Sequence, residues 1–130
     1  MTDSYSWEWI SPLVALQTMH RTMKLADAEA LAAAMPGHLA GGPGSGRRWG
    51  LVVDVRNAGA VDEAVQAAVK DLMASLDESG CDMVAMVVTK TIVMMQSKRL
   101  SRDSDGVTFD MFDSVPTAIA SVEARLAALA

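Results

Sequence analysis

Two short apolar runs, WGLVVDV at 49–55 and DMVAMVV at 82–88, constrain this chain more than any other feature. Neither shows the polar alternation of a strand with one wet face. Each therefore predicts a strand buried on both sides, as parallel strands are. A stretch with helical periodicity follows each run. After the first, Val61, Val65, Val69, Leu72, Met73 and Leu76 recur at helical spacing. Asp62 and Glu63 mark the start of that helix, and Gly80 falls just past its end. After the second run, TKTIVMMQSKRLSR at 89–102 reads as another helix. Strands joined by helices of this length imply crossover units and a largely parallel sheet.

The flanking sequence adds elements at both ends. SWEWI alternates Trp7 and Trp9 against Glu8, the signal of a half-buried strand. Pro12 interrupts it, and LVALQTMHR at 13–21 reads as a second strand, close enough to be its antiparallel neighbour. ADAEALAAAM at 26–35 is helical by propensity, with Asp27 and Glu29 in its first turn. The sequence Met35-Pro36-Gly37 should end or kink this helix, because the residue before proline disfavours the α region. GGPGSG at 41–46 reads as a flexible surface loop and RDSDG at 102–106 as a turn. VTFDMF alternates Val107, Phe109 and Met111 against Thr108, Asp110 and Phe112, which predicts a strand with one exposed face. The closing stretch, 114–129, has Ser114 placed to cap a helix and Pro116 in its first turn. Its apolar stripe is Val115, Ile119, Val122, Leu126 and Leu129. The expected architecture is one α/β domain over residues 1–130. Its order is ββαβαβαβα, with a mixed, mostly parallel sheet of about five strands and four helices.

Composition narrows the function. A chain of 130 residues, 51% of them hydrophobic, can bury one ordinary core. The net charge of −5 argues against a nucleic acid partner, since phosphate binding needs a concentrated basic surface. The single cysteine, Cys81, has no second thiol to pair with and reads as a small buried hydrophobe. The start MTDSYSWEWISP lacks a basic, apolar leader. Apolar runs such as Met83–Val88 fall far short of the roughly 20 residues that cross a bilayer, so no transmembrane segment and a cytoplasmic location are expected. His20 and His38 stand eighteen residues apart without a ligand pattern, which predicts no metal site. GGPGSGRR has the glycine spacing of a phosphate loop, but Arg47 and Arg48 replace the lysine and hydroxyl, and it precedes a strand instead of following one. No cofactor fingerprint is present.

The layout resembles the SpoIIAA-like (STAS-like) family. The resemblance rests on the N-terminal strand pair, on WGLVVDVRNA and DMVAMVV each followed by a helix, and on MMQSKRL, VTFDMFDS and AIASVEARL. It implies a small regulatory or binding module, and some relatives resemble lipid-binding Sec14 domains. The anti-sigma factor antagonists of the family carry a phosphorylatable serine in a turn after the strand that here is GLVVDV. This chain has RNAGAVDEA there, and no Ser, Thr or Tyr lies between Asp54 and Gln66. The phosphoswitch therefore does not carry over. Asp62 puts fixed negative charge near the same helix start, as a dipole partner.

Two segments carry candidate sites. Asp54, Arg56 and Asn57 form a polar turn at the carboxyl end of a predicted parallel strand, where open α/β sheets place ligands. Asp54 and Arg56 could equally be a turn-locking pair, and the absence of an accompanying acid, histidine or nucleophile favours that. The second segment is TIVMMQSKRLSR. Ile92, Val93, Met94 and Met95 are consecutive and point all round a helix axis, and Lys98, Arg99 and Arg102 follow. Either this helix is buried against the sheet and the C-terminal helix, or Ile92, Met94, Met95, Lys98, Arg99 and Arg102 form a contact surface, most simply a homodimer. The expected function is a non-enzymatic STAS-like module acting through protein contacts. The alternatives are a domain for a small apolar or lipid-like ligand, and a small enzyme using Asp54.

Overall fold

The computed structural model describes residues 4–44, 47–103 and 106–129. The elements run β1 (Tyr5–Ser11), β2 (Val14–Met19), α1 (Leu25–Ala40), β3 (Trp49–Asp54), α2 (Glu63–Glu78), β4 (Cys81–Val87), α3 (Thr91–Asp103), β5 (Thr108–Phe112) and α4 (Val115–Leu129). This is the expected order, and the strands lie in one mixed five-stranded sheet in sequence order. β1 pairs antiparallel with β2, and every later pairing is parallel. The two central strands, β3 and β4, are buried at every position. Residues 45 and 46 of the expected glycine-rich loop, and 104 and 105 of the expected turn, lie outside the described residues.

Burial on both faces requires helices on both. Parallel strands added in sequence order with crossovers of one hand put all the crossover helices on the same side. On that side Leu51, Val53, Val84 and Met86 meet Leu31 of α1, Leu72 and Leu76 of α2, and Val93 of α3. The opposite face, with Val14, Val52, Met83, Ala85 and Val87, is covered by Ala118, Val122 and Leu126 of α4. The expectation that α3 could bury itself against the C-terminal helix is therefore corrected, because the sheet separates the two. α4 comes close to β3 because Gly50 has no side chain: a Cβ there would stand 2.2 Å from Val122 Cγ1. At its other end α4 is tied to the sheet by Arg125 Nε, which donates to the buried Asp82 carboxylate at the start of β4.

Three other expectations change. α1 does not stop at Met35 but runs through Pro36 to Ala40. Its last turn is held by β1: Trp9 Nε1 donates to the His38 carbonyl at 2.9 Å, and the Tyr5 hydroxyl lies 2.7 Å from His38 Nε2. Trp7 stacks on the His38 ring with centroids 4.9 Å apart, and burial lowers the histidine's pKa, favouring the neutral ring. β5 has no face fully open to water. Only Asp110 of the strand is exposed, because Phe112 packs against the α4 side while Phe109 and Met111 pack on the other. Finally, the stripe of α4 ends before Leu129, which is exposed.

The close approach at Gly50 gives a direct test. Gly50→Ala should destabilise the protein by about 1–3 kcal/mol through overpacking. Val122→Ala makes room for the new methyl group, so the double variant should cost less than the sum of the two single changes, as contacting residues do. Urea melts of the three variants measure this coupling; strict additivity would refute the contact.

Candidate functional site

At the carboxyl end of β3 the backbone turns through 55–58, closed by Ala58 N–H donating to the Val55 carbonyl at 3.0 Å. Asp54 is buried there, and Arg56 folds back over it. Arg56 donates to its carboxylate from Nε at 2.9 Å, from Nη2 at 2.8 Å and from the backbone N–H at 3.1 Å. The guanidinium holds the Asp54 carboxyl below the usual carboxylate range. Asn57 is exposed at the tip, and its side chain makes no hydrogen bond among the described residues. An acid so engaged is poorly suited to proton transfer near neutral pH, and Asp54 lines neither of the concavities described below.

The loop after this turn is fastened to three neighbours. Gly59 N–H donates to Thr22 Oγ1 at 2.7 Å, and Lys90 Nζ donates to the Ala58 carbonyl at 3.1 Å. Gln96 of α3 holds both backbone groups of Val61, accepting from its N–H at 2.9 Å and donating to its carbonyl at 2.8 Å. α2 then begins at Asp62, whose carboxylate accepts from Val65 N–H at 3.0 Å. An aspartate side chain thus caps the helix start that follows the turn.

α3 resolves the run of four apolar residues unequally. Val93 is buried and Met94 packs against the core, whereas Ile92 is 52% and Met95 61% exposed. Lys98, Arg99 and Arg102 are exposed on the following turns. Beside them a groove of about 460 Å³ separates α3 from the edge strand β5. Met95, Lys98 and Arg102 line it from α3, and Phe109, Asp110 and Met111 from β5. The groove thus joins the sequence-predicted residues of α3 to a strand that sequence reading did not connect with them.

On the other side of α3 lies a cavity of about 270 Å³ between α2, α3 and the sheet. Its walls are apolar, with Met19, Leu51, Val53, Leu72, Met73 and Val93 among them. Gln17 of β2, Lys70 of α2, and Ser97 and Arg99 of α3 also line it. None of these four was singled out for a cavity in the sequence. The one available signal was Gln17, a polar residue at an inward position of a strand.

Neither concavity assembles an obvious reactive set. The Cys81 thiol is buried at the start of β4, and burial pushes its pKa up to about 12. Among the described residues no three His, Cys, Asp or Glu side chains gather to hold a metal, and no helix is long and apolar enough to cross a membrane.

The Asp54–Arg56 pair sets a pH dependence. A carboxyl whose folded pKa is depressed contributes stability that is complete above its unfolded value of about 3.9 and is lost as pH falls through the folded value. Arg56→Gln should therefore destabilise the protein at pH 7, and its deficit relative to wild type should shrink steadily between pH 5 and pH 2. Denaturant midpoints across this range provide the measurement. A deficit that stays constant with pH would show that the carboxylate is not its source.

No family model matches the sequence, and no curated protein matches it. The fold, however, has solved counterparts. An uncharacterized protein of the DUF3478 family with a SpoIIAA-like fold, from Shewanella loihica PV-4, is similar with a TM-score of 0.68 at 12% identity, over 91% of each chain. An anti-sigma factor antagonist from Mycobacterium paratuberculosis is similar with a TM-score of 0.62 at 15% identity, over 92% of each chain. The anti-sigma factor antagonist SpoIIAA in its unphosphorylated form is similar with a TM-score of 0.61 at 12% identity, over 92% of this chain and 97% of its own. The chain has a SpoIIAA-like fold.

Proposed function

We propose that this protein is a non-enzymatic regulatory module that works by protein contact, and that its contact face is α3 with the adjoining edge of β5. The observation that carries this reading is the exposure of Ile92 and Met95 on a helix whose other apolar residues are buried, as Val93 is, or half-buried against the core, as Met94 and Leu100 are. Two large apolar side chains beside an open groove mark a surface suited to a partner. Methionine, unbranched and polarisable, adapts its shape to what it meets. Two of the solved counterparts are described as anti-sigma factor antagonists, which brings regulation into the reading.

The partner proposed for this face is a second copy of the chain. A two-fold contact uses the same patch twice, so the patch must complement itself. The groove has that character: Lys98 and Arg102 stand on its α3 side and Asp110 on its β5 side, with Met95 facing Phe109 and Met111 across it. Rotating one copy onto another can set cations against Asp110 and apolar groups against apolar groups. Among the described residues β5 is also a sheet edge, paired only with β4. The family's phosphorylation switch, which the sequence excludes, has no hydroxyl to act on in the 55–66 turn and helix start, where Asp62 already caps α2. Control of the contact would then lie elsewhere than in that turn.

Sedimentation of wild type and two variants tests the reading. Burying a methionine side chain fully is worth about 1.5–3 kcal/mol, so Met95→Glu should weaken self-association at least about tenfold. The variant should keep the circular dichroism and melting temperature of the wild-type monomer, because Met95 is largely exposed. Met94→Glu should instead lower the melting temperature, because that side chain packs on the core. Wild type that remains monomeric at the highest attainable concentration would overturn the proposal.

A further inference from the structure

We propose that the cavity between α2, α3 and the sheet is a binding site for a medium-chain carboxylate, its tail inside and its carboxylate at the rim. Three observations point the same way. First, the interior is apolar and of limited size. A cavity of about 150 Å³ holds benzene, so by proportion 270 Å³ takes a chain of roughly ten carbons. Apolar walls with a few placed polar groups are the usual make-up of a small-molecule site.

Second, the charge of the lining runs against that of the protein. The chain carries 16 acidic and 11 basic residues. Yet among the described residues the only charged ones lining this cavity are Lys70 and Arg99. Both are exposed as well as lining, so they stand at its opening, one on α2 and one on α3. Neither forms an ion pair among the described residues. Two cations at the mouth of an apolar cavity suit an anionic head, and a carboxylate can take charge-assisted hydrogen bonds from both.

Third, two polar side chains of low exposure line this space: Gln17 from the sheet and Ser97 from α3, where Ser97 also borders the outer groove. Ser97 is 6% and Gln17 4% exposed. The Ser97 hydroxyl has no hydrogen-bond partner among the described residues. The Gln17 amide donates only to the Met19 sulfur, at 3.1 Å, a weak acceptor. Neither oxygen is sealed off from its surroundings, so both side chains hold open hydrogen-bonding capacity. They would also accommodate a hydroxyl or keto group on the chain. Gln96, by contrast, is committed to Val61 and braces the rim.

This inference does not depend on the proposed contact through β5, and the methionines separate the two. Met19 and Met73 line the cavity, Met83 lies on the α4 face of the sheet, and Met95 and Met111 line the outer groove. The experiment is a titration of the methyl-labelled protein with sodium decanoate, followed by nuclear magnetic resonance, with decanol as the uncharged control. Saturable shifts at the Met19 and Met73 methyls, with Met83, Met95 and Met111 unmoved, are expected. In a Lys70→Gln/Arg99→Gln double variant, decanoate should bind at least about tenfold more weakly, as loss of a charge-assisted hydrogen bond implies. Decanol should bind the variant and the wild type alike. Both substitutions are of exposed side chains, and the unchanged Met83 signal reports that the fold is kept. Failure of Met19 and Met73 to shift, shifts centred on Met95 and Met111, or equal losses for decanoate and decanol would each overturn the proposal.

Discussion

The pairing of β3 with β4 is the interaction on which the remaining structure rests. These two strands expose nothing on either face, so neither can exist without helices above and below the sheet. Their parallel register, Gly50 to Asp54 against Met83 to Val87, forces the chain to leave the sheet and return by a crossover. Because the strands are laid down in sequence order, α1, α2 and α3 share one face and α4 is left to cover the other by itself. The arrangement is uneven. One helix covers that side, packing chiefly on β3 and β4, and it does so by sitting close: Gly50 and Ala85 give it room, and Val122 and Ala118 fill that room.

The three-helix face is packed less tightly. α2 packs on β4 and α3 on β5, and the apolar cavity lies between these helices and the sheet. The gap is held open by polar ties at its end. Gln96 bridges α3 to Val61, and the loop it braces is anchored in turn by Thr22 and Lys90. The loop is also where the Asp54–Arg56 pair closes the end of β3. The residues at the carboxyl ends of the strands thus serve as fasteners of the β3–α2 connection, and the space that could receive a molecule lies beside them, under the helices.

α3 occupies the centre of both proposals. Its inner side, through Val93 and Ser97, lines the cavity, and its outer side, through Met95 and Lys98, lines the groove next to β5. Met86, Ser97 and Arg99 line both spaces. A helix with few partners and a concavity on each flank is the element of this fold least constrained by packing. Its apolar residues divide between a core role for Val93 and an open one for Met95 within three positions.

The strands β3 and β4, the helices that follow them, and the closing helix with its Ser114 cap are all written in local patterns. Continuous apolar runs, helical spacing and capping residues act over a few positions, so one sequence suffices to read them. Local signals also misled in places. Pro36 looked like a stop, yet α1 passes through it because Trp9 and Tyr5, some thirty residues earlier, hold its last turn. The alternation of β5 suggested a wet face, yet Phe112 is taken up by α4. The four apolar residues at 92–95 encircle their helix, so nothing in their order tells which of them faces water. Likewise, no spacing links Gln17 on β2 with Lys70 on α2 and Ser97 on α3. Burial, exposure and the lining of a cavity depend on which elements become neighbours, and that was settled only when the crossovers placed three helices on one face of the sheet and left one for the other.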